Sequence, residues 1–320
     1  MIKRVAIITP GGDAPGINAC IRAVVRKGIH SGFDMFGIYR GYQGLINGEI
    51  VRLNRRSVSG IINRGGTILK SSRSQEIKTA PGLQKAVASL KAHLIDRLVV
   101  IGGDGSFAAG LKIARQGVPV IGIPATIDND VFGNDETIGF DTAVNTAVEA
   151  IDKIRDTSTS MDRVFIVEVM GRDHGFLALA VGVASGAEMI IIPEKKYNIN
   201  RICAELISHK AGRKTSEIIV FAEGAGNTAQ AAQKIEKAVG VPVRVTVLGY
   251  IQRGGTPSAR SRILGAMFGA YAVSLIKQGL ENRVVVLKDN SLSHIAIQKV
   301  ISGQRHIDDK LHDLARTLAM

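Results

Sequence analysis

The 320-residue chain has no tryptophan and is only 4% aromatic. That scarcity speaks against single-stranded nucleic acid as a ligand, because strand binders stack bases on aromatic side chains. Helix-turn-helix and zinc-finger spacings are missing as well. The two cysteines, Cys20 and Cys203, stand far apart inside helical patterns. They fit neither a disulfide framework nor a paired metal site, and a reducing cytoplasm is the expectation. No two of the seven histidines have the spacing that turns two imidazoles toward one ion. The longest apolar run, Phe176 to Ala184, falls well short of the roughly 18 residues of a membrane span. The apolar part of MIKRVAIITP is shorter than the ~7 to 15 residues of a signal peptide core, so export is not expected.

Acid is also in short supply, with 28 Asp and Glu against 41 Lys and Arg and a net charge of +13. From Val51 to Gln75 the chain carries Arg52, Arg55, Arg56, Arg64, Lys70 and Arg73 without one acid. Glycines rather than aromatics interrupt this run, which suits compact phosphates better than a polynucleotide. At 45% hydrophobic residues the chain can bury an ordinary core in each of roughly two domains, and disorder is not expected.

Short apolar runs alternate with helix-length segments, the pattern of parallel strands joined by crossover helices. Strands are expected at Arg4 to Thr9, Phe33 to Tyr39, Leu98 to Ile101, Val118 to Ile123, Val164 to Val169, Met189 to Ile192, Ile218 to Ala222 and Val243 to Leu248. Asn18 reads as the cap of a helix ending near His30. Further helices are expected from GGDG to about Gln116, over Phe140 to Arg155 and over Phe176 to Ala184. Thr157 to Ser160 reads as a loop, and the tail, Leu292 to Ile301 and Asp308 to Leu318, as two closing helices. The fold class is α/β with two similar lobes, each a mostly parallel sheet flanked by helices. The second lobe begins near Gly139.

Three glycine-rich turns lie between a strand and a helix: Gly11-Gly12, Gly102 to Gly105, and Gly171-Arg172. Such turns let backbone amides approach an anion at the positive end of a helix dipole, and in an open parallel sheet they converge on one edge. Gly103 to Ala108 also has the G-x-G-x-x-A form of a dinucleotide fingerprint, with Asp128 about 20 residues beyond its start. An NAD-binding oxidoreductase is therefore a rival reading. Asp104 tells against it, since a carboxylate in the turn repels a bare pyrophosphate unless a hard cation such as Mg2+ sits between them. Asp128 and Asp130 are expected on an extended segment near that turn. Phosphoryl transfer needs a base for the attacking hydroxyl, a cation and positive groups around the transferred phosphoryl. Asp128, Asp104 with Mg2+, and Arg172 with Arg73 suit those roles, whereas Asp135 and Glu136 read as solvated loop residues.

The motifs TPGGDAPGIN (Thr9 to Asn18), INRGGT (Ile62 to Thr67), IGGDGS (Ile101 to Ser106), PATIDND (Pro124 to Asp130), TIGFDTA (Thr137 to Ala143), EVMGR (Glu168 to Arg172) and LGYIQRGG (Leu248 to Gly255) occur in this order. With them the sequence resembles the bacterial ATP-dependent 6-phosphofructokinases over essentially its whole length. The resemblance implies two lobes with the active site in the cleft between them. Residues 1–138 with about 251–301 would bind ATP, and about 139–250 with 302–320 the sugar phosphate. It further implies transfer of the ATP γ-phosphoryl to the 1-hydroxyl of fructose 6-phosphate, a glycolytic step. Asp128 would be the general base, Thr126 and Asp130 would position the sugar, Arg172 would stabilise the transition state and Asp104 would hold Mg2+.

By the same resemblance Gly12, Arg73, Ser74, Gly103, Gly105 and Ser106 would contact ATP. Met170, Gly171, Glu223, Tyr250 and Arg253 would hold the sugar phosphate, with Arg163 and Arg244 reaching in from a neighbouring subunit of a homotetramer. An effector site for ADP or phosphoenolpyruvate is matched at Arg22, Arg26, Arg55, Arg155, Glu188 and Lys214. It departs from the family pattern at Gly60, Thr215 and Ser216. Gly105 and Ala125 match the ATP-dependent branch; the pyrophosphate-dependent branch typically has aspartate and lysine there. Tyr250 replaces a histidine common near the sugar's 6-phosphate, which keeps another ketose phosphate open as the acceptor.

Overall fold

The computed structural model describes residues 3–161, 163–211 and 216–319. The chain forms two compact units: one runs to Thr142 and resumes over Arg253–Arg305, and the other takes Ala143–Gln252 and the residues from His306. Along the first unit come β1 (Arg4–Ile8), α1 (Ile17–His30), β2 (Asp34–Ile38), α2 (Gly41–Ile46), β3 (Ile50–Leu53), α3 (Ala80–Ala92), β4 (Arg97–Gly102), α4 (Asp104–Ala114), β5 (Val120–Thr126) and β6 (Ile138–Gly139). The helix α5 (Phe140–Met161) leads into the second unit, with β7 (Val164–Val169), α6 (Phe176–Ser185), β8 (Met189–Ile191), α7 (Ile199–Ala211), β9 (Glu217–Ala222), α8 (Thr228–Val239) and β10 (Val243–Val247). The return supplies α9 (Ala259–Lys277), β11 (Arg283–Lys288), β12 (Ser291–Ala296) and α10 (Ile297–Ser302) to the first unit, and α11 (Asp309–Leu318) closes the second.

In the first unit the sheet runs β12-β11-β5-β4-β1-β2-β3, with the short β6 beside β5. Its centre is parallel, and only the outer pairs β2–β3 and β11–β12 are antiparallel. The central strands RVAII and RLVVIG are buried almost throughout, as expected of parallel strands with helices over both faces. The second unit holds an all-parallel sheet in the order β10-β7-β9-β8. Its core gathers Ile166, Ile219 and Phe221 from the strands with Leu206 of α7 and Ile235 of α8. Hydroxyl and amide side chains begin several helices: Thr79, Asn227 and Ser258 accept from the N–H of Gly82, Gln230 and Ser261.

Three expected elements differ. Thr157 to Ser160 continue α5 instead of forming a loop. Thr159 and Ser160 donate to the carbonyls of Arg155 and Asp156 one turn back, so their hydroxyls are satisfied on the helix. The tail segment expected as one helix is divided, because Ser291 to Ala296 pair antiparallel with β11 before α10 starts. Asn18 does not cap α1, whose cap position is Gly16. It is buried, with Nδ2 donating to the carbonyls of Arg64 and Gly65 and Oδ1 accepting from Ile68 N–H.

Candidate active site

In the first unit β1, β4 and β5 are parallel neighbours, so the segments leaving their C-terminal ends lie along one edge. The order turns at β1, with β2 on one side and β4 on the other, the place where open α/β sheets form a ligand crevice. The Pro10 to Gly16 turn leaves β1 there, Gly103 to Ser106 leaves β4, and Asp128 to Asp130 follows β5. The first two touch, since a Cβ added at Gly11 would stand 3.1 Å from Ser106 Oγ. Tyr42 Oη donates to the Ser106 carbonyl at 2.6 Å and pins the first turn of α4.

No side chain caps α4 at its N-terminal residue Gly103, and Asp104 is the acid of the first turn. A Cβ added at Gly103 or Gly105 would meet no atom within 4 Å. The Cα flanks of Gly103 and Gly105 are therefore open at the positive end of a helix dipole, which favours an anion. Asp104, half-buried, sits in the same turn. Among the described residues no three His, Cys, Asp or Glu side chains converge on a metal position. Mg2+ on a nucleotide typically needs only one or two protein carboxylates beside the phosphates, so a lone Asp104 suits it where an all-protein cage would not form.

The segment after β5 is a tight turn and not the extended one expected. Asp128 N–H donates to Thr126 Oγ1 at 3.1 Å, and Asn129 adopts a left-handed φ of 53°. Asn129 Oδ1 accepts from Thr137 N–H at 3.0 Å, which closes the loop on itself. Asp128 is 5% exposed and Asp130 half-buried. Asp135 and Glu136 are not simply solvated: Asp135 Oδ2 accepts from Asp289 N–H, and Glu136 pairs with Arg260 at 2.7 Å. That pair raises the Arg260 pKa.

Other expected nucleotide residues lie in the same unit. Arg73 is exposed, and Ser74 Oγ donates to Gln43 Oε1 at 2.9 Å. Arg253, expected with the sugar-phosphate residues, belongs to the first unit, and its guanidinium lies against Gly12. The INRGGT and QRGG motifs meet backbone to backbone: a Cβ at Gly65 would collide with the Gly255 carbonyl.

In the second unit the segments leaving β7, β9 and β10 are joined by side-chain to backbone bonds. Glu223 Oε1 accepts from the N–H of Gly171 at 3.2 Å and of Arg172 at 2.8 Å, and Gln252 Oε1 accepts from Met170 N–H at 2.9 Å. Arg172 has a left-handed φ of 51°, sparsely populated for residues other than glycine, and its side chain is exposed. Tyr250 is 81% exposed. Arg163 and Arg244 are not with these residues. Arg163 precedes β7 and Arg244 opposes Phe165 near its start, whereas Met170 to Arg172 follow its far end.

Of the effector candidates, Arg155 and Glu188 pair at 3.3 Å in the second unit, with Glu188 Oε2 also accepting from Ile218 N–H. Arg22 and Arg26 lie on α1 and Arg55 follows β3, all in the first unit. Gly60 and Ser216 are described; Lys214 and Thr215 lie outside the described residues. A cavity of about 480 Å³ between β8, α7 and α11 is bordered by Glu188 but by no other expected site residue. Sequence reading passed over Asn129, Thr137, Gln252 and Arg305, whose side chains hold backbone instead of pointing at a ligand. Their membership in the PATIDND, TIGFDTA and QRGG motifs was an available signal for the first three.

The family model described as phosphofructokinase matches residues 4–276. The ATP-dependent 6-phosphofructokinase of Clostridium tetani is 49% identical over 318 residues, covering 99% of this chain and 100% of that protein. The Clostridium novyi protein of the same name is likewise 49% identical, with the same coverage. Among solved structures, Pichia pastoris phosphofructokinase in the T-state superposes with a TM-score of 0.91 at 32% identity. That likeness covers 94% of this chain, which spans only 36% of the longer Pichia chain.

Proposed function

This chain belongs to the phosphofructokinase family, and on that premise we propose that it transfers the γ-phosphoryl group of ATP to the 1-hydroxyl of fructose 6-phosphate. The products are ADP and fructose 1,6-bisphosphate, a step of glycolysis. The observation that carries the reading is the arrangement of the Asp104 and Asp128 segments, side by side at one edge of the first unit's sheet. It fits a metal-bound nucleotide beside a general base, and the relatives named for ATP dependence supply the donor.

In this reading the buried Asp128 accepts the proton of the 1-hydroxyl as its oxygen bonds to the γ-phosphorus, while the bond to the ADP oxygen breaks in line. Thr126 and Asp130 position the sugar end. Arg172 offsets the charge spreading over the transferred phosphoryl. Gly12, Arg73, Ser74, Gly103, Gly105 and Ser106 contact the nucleotide, and the open flanks of Gly103 and Gly105 support close approach of phosphate oxygens. Asp104 would hold Mg2+, which would neutralise charge on the phosphates. ATP thus belongs to the first unit and the sugar phosphate to the second, where Met170, Gly171, Glu223 and Tyr250 would hold it. Arg253, whose guanidinium lies beside Gly12, would also contact the sugar phosphate.

Arg163 and Arg244 stand at the other end of their strands from Met170, which suits a contribution to the site of a neighbouring copy and hence a homotetramer. Arg22, Arg26, Arg55, Arg155, Glu188 and Lys214 would form an effector site for ADP or phosphoenolpyruvate. No described helix is long and apolar enough to cross a membrane, which is compatible with a cytoplasmic enzyme. Tyr250, which cannot become cationic near neutral pH as the family's common histidine can, favours one second reading, a different ketose phosphate as acceptor.

A coupled assay for ADP tests both, with fructose 6-phosphate, tagatose 6-phosphate and sedoheptulose 7-phosphate as acceptors. ADP should form only when Mg2+, ATP and an acceptor are all present, fastest with fructose 6-phosphate, and pyrophosphate should not replace ATP. Faster turnover of another ketose phosphate would install the second reading. Acceptor-independent ADP release would overturn both.

A further inference from the structure

The chain leaves the first unit for the last time at Arg305. Its guanidinium is turned onto the backbone of the Asp128 loop: Nη1 donates to the Asn129 carbonyl, and Nη2 to the Asp135 carbonyl at 2.9 Å. The Asp135 carbonyl also accepts from Asn129 Nδ2 at 3.2 Å, so Arg305 and Asn129 together tie the two ends of one loop. Two residues earlier, Gly303 packs so tightly on the Phe132 ring that a Cβ there would fall on the ring carbons. The segment 303–305 therefore grips the loop twice, once by a ring contact and once by a forked donor.

The grip falls on the part of the loop that carries Asp128 and Asp130. Asp128 lies beyond Thr126, the last residue of β5. The next residue, Asn129, is left-handed, a conformation that asparagine adopts more readily than most residues other than glycine. On the far half of the loop Leu287 bonds to Asn134 and Asp135, Asp289 N–H donates to Asp135, and Arg260 pairs with Glu136. Arg305 instead holds the peptide that links Asn129 to Asp130. Burial pulls the Arg305 guanidinium below its ordinary pKa, and the nearby charges of Asp135 and Asp130 oppose that shift. A guanidinium remains charged under these conditions and presents its donors in a fixed plane, which suits two carbonyls better than the single point of an ammonium.

We propose that Arg305 is a positioning residue for phosphoryl transfer, fixing Asp128 and Asp130 through the carbonyls of Asn129 and Asp135 without itself touching substrate. This rests on the reading of Asp128 as general base. Misplacing a reacting group by about 1 Å can cost about 100-fold in rate. The full-length chain is compared as wild type, Arg305→Ala, Arg305→Lys, Asp128→Asn and the double variant Asp128→Asn with Arg305→Ala. Fructose 6-phosphate-dependent ADP formation and thermal midpoint are measured for each.

Arg305→Ala should lower kcat by about 10- to 100-fold while the KM for ATP stays within about twofold, because the β1 and β4 turns are untouched. Arg305→Lys, which keeps the charge and one donor, should recover part of kcat and stands in if the alanine variant does not fold. In the Asp128→Asn background the loss of Arg305 should have a smaller effect on kcat, since the base it positions is gone and only its hold on Asp130 remains. Near-normal turnover by Asp128→Asn would remove the base reading and this inference with it. A crippled Asp128→Asn beside Arg305 variants of wild-type kcat would overturn the inference alone, as would an Arg305 effect of undiminished size in the double variant.

Discussion

Asp104 and Asp128 emerge from one sheet edge, the first two residues and the second four residues beyond the register partners Gly102 and Pro124. If the two carboxylates divide the work as proposed, their isosteric variants separate kinetically. Asp128→Asn should lower kcat by about 10²- to 10⁴-fold, the usual scale of general base catalysis, with ATP and sugar-phosphate affinities little changed by calorimetry. Asp104→Asn should instead raise the Mg2+ concentration needed for half-maximal rate. A Mg2+ titration that shifts equally in both variants would contradict the division.

Gly105 tests the choice of donor. Nothing lies within 4 Å of a Cβ built there, so an added carboxylate enters without disturbing the fold. It would stand in the first turn of α4, the proposed nucleotide site, and would repel the phosphates of ATP. Gly105→Asp should keep the thermal midpoint of the wild type within about 2 °C and lose at least about tenfold in kcat/KM for ATP, an expectation set by placing about 1.4 kcal/mol of repulsion in the site. An unchanged kcat/KM would show that the nucleotide does not approach this turn.

The alternation of apolar runs and glycine turns made the parallel sheets legible, because strands buried on both faces read as continuous apolar stretches. The glycines of the candidate site were legible for a related reason: Gly65 meets the Gly255 carbonyl so closely that no side chain fits. What the sequence concealed were the groups that hold backbone to backbone. Asn18 looked like a helix cap by its position before an apolar run, but its amide bridges residues 64 to 68, a contact set by tertiary approach. Thr157 to Ser160 looked like a loop because hydroxyl residues favour turns, yet the hydroxyls of Ser158, Thr159 and Ser160 each donate to a carbonyl, that of Ser158 to Arg163. Arg305 gave no local signal, since its partners lie some 170 residues earlier.

Glu223 holds the Gly171-Arg172 turn by accepting from both amides with one oxygen. Glu223→Gln retains an acceptor oxygen and should change the KM for fructose 6-phosphate only a few-fold. Glu223→Ala leaves two N–H groups, one part-buried and one exposed, without that acceptor and releases Arg172 from its left-handed conformation. Its KM for fructose 6-phosphate should rise about tenfold or more and its kcat should fall, read by initial rates at saturating ATP. Equal kinetics for the two substitutions would mean that the turn keeps its shape without the carboxylate.

His312 makes the docking of α11 sensitive to pH. It is 9% exposed, and Lys195 Nζ lies 3.3 Å from its Nδ1, an arrangement in which neutral imidazole accepts from the ammonium. Burial lowers the His312 pKa first, and the charges of Lys195 and Arg316 add to it, against opposition from Asp313 and Asp309. The unfolded chain, with an ordinary histidine pKa near 6.5, then binds the proton more readily than the folded one. Stability from the neutral form is fully present above about pH 6.5 and declines as pH falls toward the lowered folded value. The Lys195–Asp309 pair behaves differently: Asp309 is held below its ordinary carboxylate range, so its contribution persists to more acidic pH. Amide exchange in Asp309–Leu318, corrected for intrinsic rate, should therefore accelerate between pH 7.5 and pH 5.5 in the wild type and change little in His312→Gln. An acceleration of the same size in His312→Gln would locate the pH response in another group.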